Sequence, residues 1–466
     1  MKDFNENSEE NTTIFLENTL DKIRKLIDPF CSEWIIKGII KKENQIRFSN
    51  NLIDISKFWD EIKIHLFMAK NRRTIEMDLS NLSIESIKKT INYCNNLLNK
   101  AEKNRFYKYI PEDSFTYNYN IQGYIYDEKV EKLGEEATDI VNNAIQASLE
   151  AGAHRTAGSF YYGTNSFTIL TSTGIKGLFK RSRLNFRIRA FAEDMYATGE
   201  SLSLSTHLEK NFDAINAGKE AGEICKKAIG GEKGIPGIYN IIIYPKVSTE
   251  LQATTPAIAM NSYVKKMGIS WLTGKKEGDQ ISKEDLSVWD DGTMRYGTAS
   301  GIFDDEGVPT SRTLLIDKGR IKKFFTNTSL SEKSQKSTGN AGITMPKPTN
   351  TVFSSGDCTL KELMEISENP TLLITSVWYT RYQSYAPPGI FSSLPKDGMF
   401  LVKSHGQTLE PIRDLRINSD QYQMLDNIVA LGKEQKQVAT WLSPSNNTVF
   451  APFMLIKDIR MTTGTK

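Results

Sequence analysis

The chain has 466 residues, of which 39% are hydrophobic and 25% charged, with a formal net charge of +3. This length supports two or three domains with sizeable cores, and the near balance of charge excludes any composition-level case for a nucleic-acid or membrane partner. No apolar run approaches the ~20 residues that span a bilayer, and the polar, acidic N-terminal stretch lacks the pattern of a secretory signal, so a cytoplasmic protein is expected.

Phe15, Leu16, Leu20, Ile23 and Ile27 fall at helical spacing after Thr12-Thr13, which predicts a helix over 12–30. Four short strands are expected next, at Trp34–Ile40, Gln45–Phe48, Ile62–Phe67 and Ile75–Leu79, most of them separated by Asn- and Lys-rich turns. Ser83 then caps a helix whose apolar stripe is Ile84, Ile87, Ile91, Leu98 and Ala101. Residues 105–125, rich in Tyr and holding Pro111, read as irregular. A long helix over Glu128–Ala151 follows, with Val130, Leu133, Ala137, Ile140, Val141, Ala144 and Ile145 on its buried face.

Strands at His154–Tyr162 and Ser166–Ser172 flank Gly163-Thr164-Asn165, a hairpin signal. A second pair, Asn185–Ala192 and Ser201–Thr206, brackets a turn containing Gly199. A helix over Phe212–Ala228 stops at Gly230-Gly231. Ile238–Tyr244 is an apolar run of strand length, and after residue 285 short strands and Gly/Asp turns dominate, with helices expected at Leu360–Ile366 and Gln421–Leu431. The fold class is α+β: an N-terminal α/β-meander domain (1–110), a central helix/strand region (111–232) and a large β-rich C-terminal domain (233–466).

Four segments stand in register in the C-terminal part: Ser287-Val288-Trp289-Asp290-Asp291-Gly292-Thr293, Gly301 through Thr310 with Asp304-Asp305-Glu306-Gly307-Val308 at its centre, Leu314 through Ile321 around Asp317-Lys318-Gly319, and Ser337-Thr338-Gly339-Asn340-Ala341-Gly342. Their order resembles the C-terminal half of the TldD/TldE (PmbA) metalloprotease family, whose "DD(G)", "(F)DDEGV.T", strand–"DG"–strand and "(T)GNA" pieces follow one another in this way. Gly237 through Pro245, Pro388-Gly389-Ile390-Phe391-Ser392, and Ile417-Asn418 with Leu425, Asn427-Ile428 and Gly432 extend the likeness. The resemblance implies a C-terminal domain of the TldD/PmbA type.

Zinc-bearing members of that family carry HExxxH on a helix after the apolar strand, where two imidazoles one turn apart reach one metal and the glutamate acts on the metal-bound water; a cysteine near the C-terminus adds a ligand. Here the corresponding segment, Thr254 to Met267, reads TTPAIAMNSYVKKM, and Ala439 to Pro452 reads ATWLSPSNNTVFAP; neither holds His, Glu, Asp or Cys. The histidines are His65, His154, His207 and His405, and no two share a ligand-type spacing. Pro256, Ala257, Ile258, Ala259, Met260 and Val264 are expected to keep an amphipathic helix without its ligands.

Other candidates have an ordinary reading beside the functional one. Asp290-Asp291 and Asp304-Asp305-Glu306 could be paired carboxylates for acid–base or metal work; before Gly292 and Gly307 they read first as turns between strands. Arg187 and Arg189, continuing the basic run Lys180-Arg181-Ser182-Arg183, share a strand face that reads as solvated. His154 reads as an ordinary surface or core histidine. Trp378, Tyr379, Tyr382, Tyr385 and Arg381 could line a peptide cleft or a subunit interface. Cys31, Cys94, Cys225 and Cys358 contain no CxxC pair and read as reduced, mostly buried thiols.

The resemblance therefore implies a TldE-like, non-catalytic subunit. It would partner a zinc metalloprotease acting on unfolded or small peptides, as a heterodimer with a TldD-like zinc-bearing chain or as a homodimer. No cofactor is expected in this chain, and zinc only in the partner. Asp290, Asp291, Asp304, Asp305, Asn340, Tyr379 and Arg381 are the candidate cleft residues. Two alternatives stay open: a self-sufficient peptidase or hydrolase with an unrecognised site, and a non-enzymatic modulator of a macromolecule, where the family's older label as a DNA-gyrase modulator belongs.

Overall fold

The first third of the chain builds a sheet with longer strands than its sequence suggests. In the computed structural model, which describes all residues except 1, 252–258, 283–285, 332–335, 343, 369, 441–447 and 464–466, helix α1 (Lys2–Ile27) precedes a hairpin of β1 (Glu33–Ser49) and β2 (Leu52–Lys70). Asn50 and Asn51 turn that hairpin at φ 48° and 68°, and Asn71 and Arg72 turn β2 into β3 (Arg73–Leu79) at 52° and 64°; paired positive φ values suit the right-handed twist of the strands. The expected break between Ile40 and Gln45 is absent. Lys41 to Asn44 pair with β2 on one side and with β4 (Arg155–Thr171) on the other, so this polar run is strand interior and not a turn.

Helix α2 (Ile84–Lys100) starts at the expected cap, Ser83, whose hydroxyl accepts from the Ser86 amide. The irregular stretch ends in α3 (Gln122–Ile125), and the predicted long helix is two, α4 (Glu128–Glu131) and α5 (Glu136–Glu150), parted around Gly134. β5 (Lys176–Phe191), β6 (Thr198–Ser205) and α6 (Ala214–Lys227) follow. The sheet order is β3-β2-β1-β4-β5-β6, antiparallel throughout.

Two predicted turns are strand interiors. β4 runs straight through Gly163, which pairs with Glu43 on one side and Arg183 on the other. At φ +147° a Cβ there would lie 2.1 Å from the Lys42 carbonyl oxygen, so glycine serves close strand approach instead of a hairpin. Gly199 likewise lies inside β6, where an added Cβ would meet the Ala221 carbonyl on α6 at 2.1 Å; the turn sits around Met195, at φ 62°.

Side-chain alternation divides the sheet into two faces. Ile36, Ile40, Ile46, Phe48, Phe160, Leu184, Phe186 and Ile188 point to the helices. There Leu16, Leu20, Ile23 and Ile27 of α1, Ile87, Ile91 and Leu98 of α2, and the small residues of α5 and α6 close the core. The other face is apolar at one end, where Ile35, Phe67, Ile169 and Phe179 pack on Tyr107, Ile110, Ile125, Ile302 and Phe303. Beyond that patch it is polar, and the C-terminal half covers it.

That half begins with β7 (Glu232–Lys233), the buried strand β8 (Gly237–Ile243), α7 (Pro245–Leu251) and α8 (Ser262–Lys266). Then come β9 (Val288–Asp291), β10 (Arg312–Asp317), β11 (Arg320–Ile321) and β12 (Asn350–Phe353), followed by α9 (Leu360–Ile366), β13 (Thr371–Tyr382), β14 (Ile390–Lys403), β15 (Thr408–Arg413) and β16 (Leu415–Asp420). α10 (Gln421–Asp426) stops before Asn427, and the rest of the expected helix is β17 (Ile428–Leu431). β18 (Lys436–Val438), β19 (Thr448–Ala451) and β20 (Met454–Thr463) finish the chain. Two sheets result, β11-β10-β9-β12-β19-β18 and β13-β8-β20-β16-β14-β15-β7, with one core between them that includes Ile241, Trp271, Leu315, Phe325, Phe353, Phe391 and Ile456. With 24% helix and 41% strand the fold is α+β, as the sequence predicts. No described helix is long and apolar enough to cross a membrane.

Gly163→Ala is expected to cost several kcal/mol, because the new methyl meets backbone and not a movable side chain. Gly123→Ala, where nothing lies within 4 Å, is expected to change stability by under ~1 kcal/mol. Denaturant midpoints of the two variants check this; equal midpoints contradict it.

Candidate functional site

The polar face of the sheet and the C-terminal half enclose a layer of charged side chains with two distinct ends. At one end β9 and the loops after it gather most of the predicted acidic residues. Asp304 Oδ1 accepts from the amides of Glu306 (2.9 Å) and Val308 (3.0 Å), and its Oδ2 accepts from Ala341 (2.8 Å). Gly307, at φ +80°, closes this turn, so the turn reading of the Asp-Asp-Glu-Gly run is correct but the turn is buried. Asp305 bridges Lys37 of β1 and Lys347, the latter at 2.6 Å. Asp290 accepts from Asn340 Nδ2 (2.5 Å), from the Thr349 amide (2.7 Å) and from the Thr349 hydroxyl (2.8 Å). Asp291 turns away: its Oδ1 takes the Thr293 amide and hydroxyl at 2.9 and 2.7 Å.

Burial pushes the Asp290 carboxyl up to about 6 against the donors Asn340 and Thr349. Burial together with Glu306 pushes Asp304 well up, and burial lifts Glu306 to about 7 although the Thr328 amide donates to it at 3.0 Å. Burial works against Asp305 as well, but the Lys347 and Lys37 ammoniums overcome it and hold that carboxyl well below its usual range. Asp304, Asp305 and Asn340 border a cavity of about 80 Å³ with Arg181 and Lys347. The hydrogen bonds of these carboxylates go to the chain itself, which suits clamps between segments better than proton transfer.

The other end was not legible as a site. Arg187 and Arg189 do not lie on a solvated face; they turn into the layer. Arg189 Nε donates to Asp397 at 2.6 Å, and its guanidinium lies 4.3 Å from the Trp378 ring centroid. Lys246 of α7 pairs with Glu200 of β6, and the Thr440 hydroxyl donates to Glu250. Arg187 Nη2 donates to the carbonyls of Ala439 (2.6 Å) and Thr440 (2.9 Å). Burial lowers Arg187, and lowers Arg181 and Arg183 to about 10, which leaves the latter two charged near neutrality. A cavity of about 280 Å³ opens here, lined by Ala157, Gly158, Arg187, Ile188, Arg189, Glu200, Trp378 and Tyr379.

Of the predicted cleft residues, Asp290, Asp304, Asp305 and Asn340 come together at the first end and Asp291 sits beside them. Tyr379 lines the second cavity, and Arg381 is exposed and absent from both cavity linings. Sequence reasoning missed Arg183, Arg187, Glu200, Lys246 and Asp397. The available signal was the period-two alternation of Arg181, Arg183, Arg187 and Arg189, which fixes a shared face but does not say what covers it.

Among the described residues no three His, Cys, Asp or Glu side chains are grouped to hold an ion. His65 lies between Asp78 (2.5 Å) and Glu76 (3.7 Å), His207 beside Thr206 and Tyr296, His405 beside the Glu365 carbonyl, and His154 is exposed. Of the segment aligned with the metal helix, residues 254–258 lie outside the described residues. Ala259 and Met260 are fully buried, and Asn261 caps the short α8.

A family model described as "PmbA/TldA metallopeptidase C-terminal domain" matches residues 236–463. An uncharacterized protein of Methanocaldococcus jannaschii is 29% identical over 33% of this chain and 38% of its own length. A metalloprotease TldD homolog of Buchnera aphidicola is 24% identical over 47% and 45%, and a zinc metalloprotease TldD homolog of Saccharolobus solfataricus is 24% identical over 53% and 56%. The chain thus spans about half the length, or less, of these curated relatives. Among solved structures, a Thermotoga maritima protein described as a modulator of a DNA gyrase superposes with a TM-score of 0.82 at 20% identity, over 96% of this chain and all of its own. TldE from Thermococcus kodakarensis does so with 0.77 at 16%, over 95% and 100%. At such identities these likenesses show the fold.

Glu306 yields a pH dependence with a definite sign. Its carboxyl titrates near 4.5 when exposed and about 7 in the fold. Between those values the folded state keeps a proton that the unfolded chain has lost, so stability falls as pH rises through the window. Glu306→Gln is expected to remove up to ~3 kcal/mol of that decline. Urea titrations of both proteins from pH 4.5 to 7.5 measure it; parallel profiles contradict it.

Proposed function

Because this chain belongs to the TldD/PmbA family, we propose that it is a non-catalytic, TldE-like subunit that partners a zinc-bearing relative in handling unfolded or small peptides. One observation carries this reading: Thr254–Met267 and Ala439–Pro452 hold no His, Glu, Asp or Cys where the zinc-bearing members place their ligands. Three zinc donors and an open position are what a catalytic zinc site requires.

The chain's own contribution is then a wall and a binding surface. The polar layer supplies fixed charges in a site screened from water, where each hydrogen bond to a peptide is stronger than at an open surface. Trp378 and Tyr379 add aromatic area beside it. Self-sufficient hydrolysis by Asp304 and Glu306 has less support, since both carboxyls are buried and engaged by backbone amides.

Affinity capture with the tagged chain is expected to recover a second family member that carries HExxxH. The purified chain alone is expected to hold far less than stoichiometric zinc and to leave unfolded peptides intact, with cleavage only after the partner is added. Chelator-sensitive cleavage by the chain alone, or about one tightly bound zinc per chain, overturns the proposal.

A further inference from the structure

Within the polar layer most cations meet a carboxylate. Arg189 donates to Asp397, Lys246 pairs with Glu200, and Lys37 and Lys347 share Asp305. Arg187 makes no hydrogen bond to a carboxylate among the described residues, although the Glu200 and Glu250 carboxylates act on it through space. Its Nη2 donates to the neutral carbonyls of Ala439 and Thr440, and its Nε and Nη1 have no acceptor among the described residues. A guanidinium held this way keeps its charge and its unused N–H donors.

Those donors belong to a side chain that lines the cavity of about 280 Å³. Ala157 and Gly158 of β4, Glu200 of β6, Trp378, which lies over Arg189 at 4.3 Å, and Tyr379 also line it. The same face of β5 continues through Asn185 and Arg183, which are 1% and 9% exposed; neither the Asn185 amide atoms nor the Arg183 Nε has a partner among the described residues. Side chains at every second position of a strand stand ~6.6–6.8 Å apart, which is also the two-residue repeat of an extended peptide.

We propose that this cavity is a carboxylate-binding site for a peptide, with Arg187 as the charge that receives the carboxylate. The cavity is smaller than the ~300–1,000 Å³ typical of drug-sized ligands, which suits a chain end or one acidic side chain and not a folded partner. A carboxylate on Arg187 makes charge-assisted bonds, the stronger kind. The inference rests on the reading that this chain handles peptides, and not on the presence of a catalytic partner.

The test uses the full chain and calorimetry with three probes: acetyl-Ala-Ala-Ala with a free carboxylate, its carboxamide, and acetyl-Ala-Asp-Ala-amide. The free acid is expected to bind at least about tenfold more tightly than the carboxamide, the difference a charged hydrogen bond makes. Arg187→Gln is expected to erase that difference and Arg187→Lys to retain part of it, with thermal midpoints confirming that both variants fold. Binding of the Asp peptide as tightly as the free acid assigns the site to an acidic side chain, and weak binding assigns it to the chain terminus; both support a carboxylate site. Equal binding of acid and carboxamide overturns the assignment while leaving the peptide reading intact. Acid binding that Arg187→Gln does not weaken, or binding of none of the probes, also overturns it. Failure to capture a zinc-bearing partner bears only on the proposed function.

Discussion

The face of the six-stranded sheet that carries Lys37, Arg183, Arg187, Arg189 and Glu200 is covered by the rest of the chain, and a covered charge is costly unless something there answers it. Asp305 answers Lys37, Asp397 answers Arg189, and Lys246 answers Glu200. Each of these pairs joins a residue of the sheet to a residue of the C-terminal half. The two halves are therefore held together partly by these polar contacts. The apolar patch around Phe179 and Phe303 supplies the nonspecific attraction. The ion pairs supply the register.

The same constraint explains why the motif residues cluster as they do. Asp290 and Asn340 come from segments 50 residues apart, and their bond, with those to Thr349, ties β9 to two loops. Asp304 fixes its own turn and the Ala341 amide at once. These groups are buried with raised or depressed pKa values, which in an unfamiliar structure is a mark of function. Here the hydrogen bonds of the carboxylates go to the chain itself, which indicates assembly of the layer. Buried atoms without a partner among the described residues occur at both ends, in Asn340 here and in Arg183, Asn185 and Arg187 along β5.

The parts of the fold visible in the sequence were those set by local rules. Ser83 capping α2, the glycine stop after α6, and the apolar stripes of α1 and α2 were readable because helix periodicity and caps are local. Strand lengths were not. Lys41 to Asn44 and Gly163 to Asn165 have turn composition, yet each is flanked by two neighbouring strands whose hydrogen bonds outweigh that preference. The helix predicted over Gln421–Leu431 holds only to Asp426 for a related reason, since Ile428 to Leu431 pair with β20. Of the candidate site, the acidic segments could be found because four motifs stood in register. The arginine end could not, because alternation along β5 names a face but not its cover, and the cover comes from residues more than 200 positions away, at Asp397 and Ala439.

A scaffold of this kind separates what folding requires from what chemistry requires. Ala259, Met260 and Val264 are buried, and Asn261 caps α8 by accepting from the Tyr263 and Val264 amides. Packing there asks only for apolar volume and a cap, whereas zinc asks for particular donors in a particular geometry. The first demand can be met by many side chains and the second by few. A chain can thus differ in the donors of one segment and keep the packing around it.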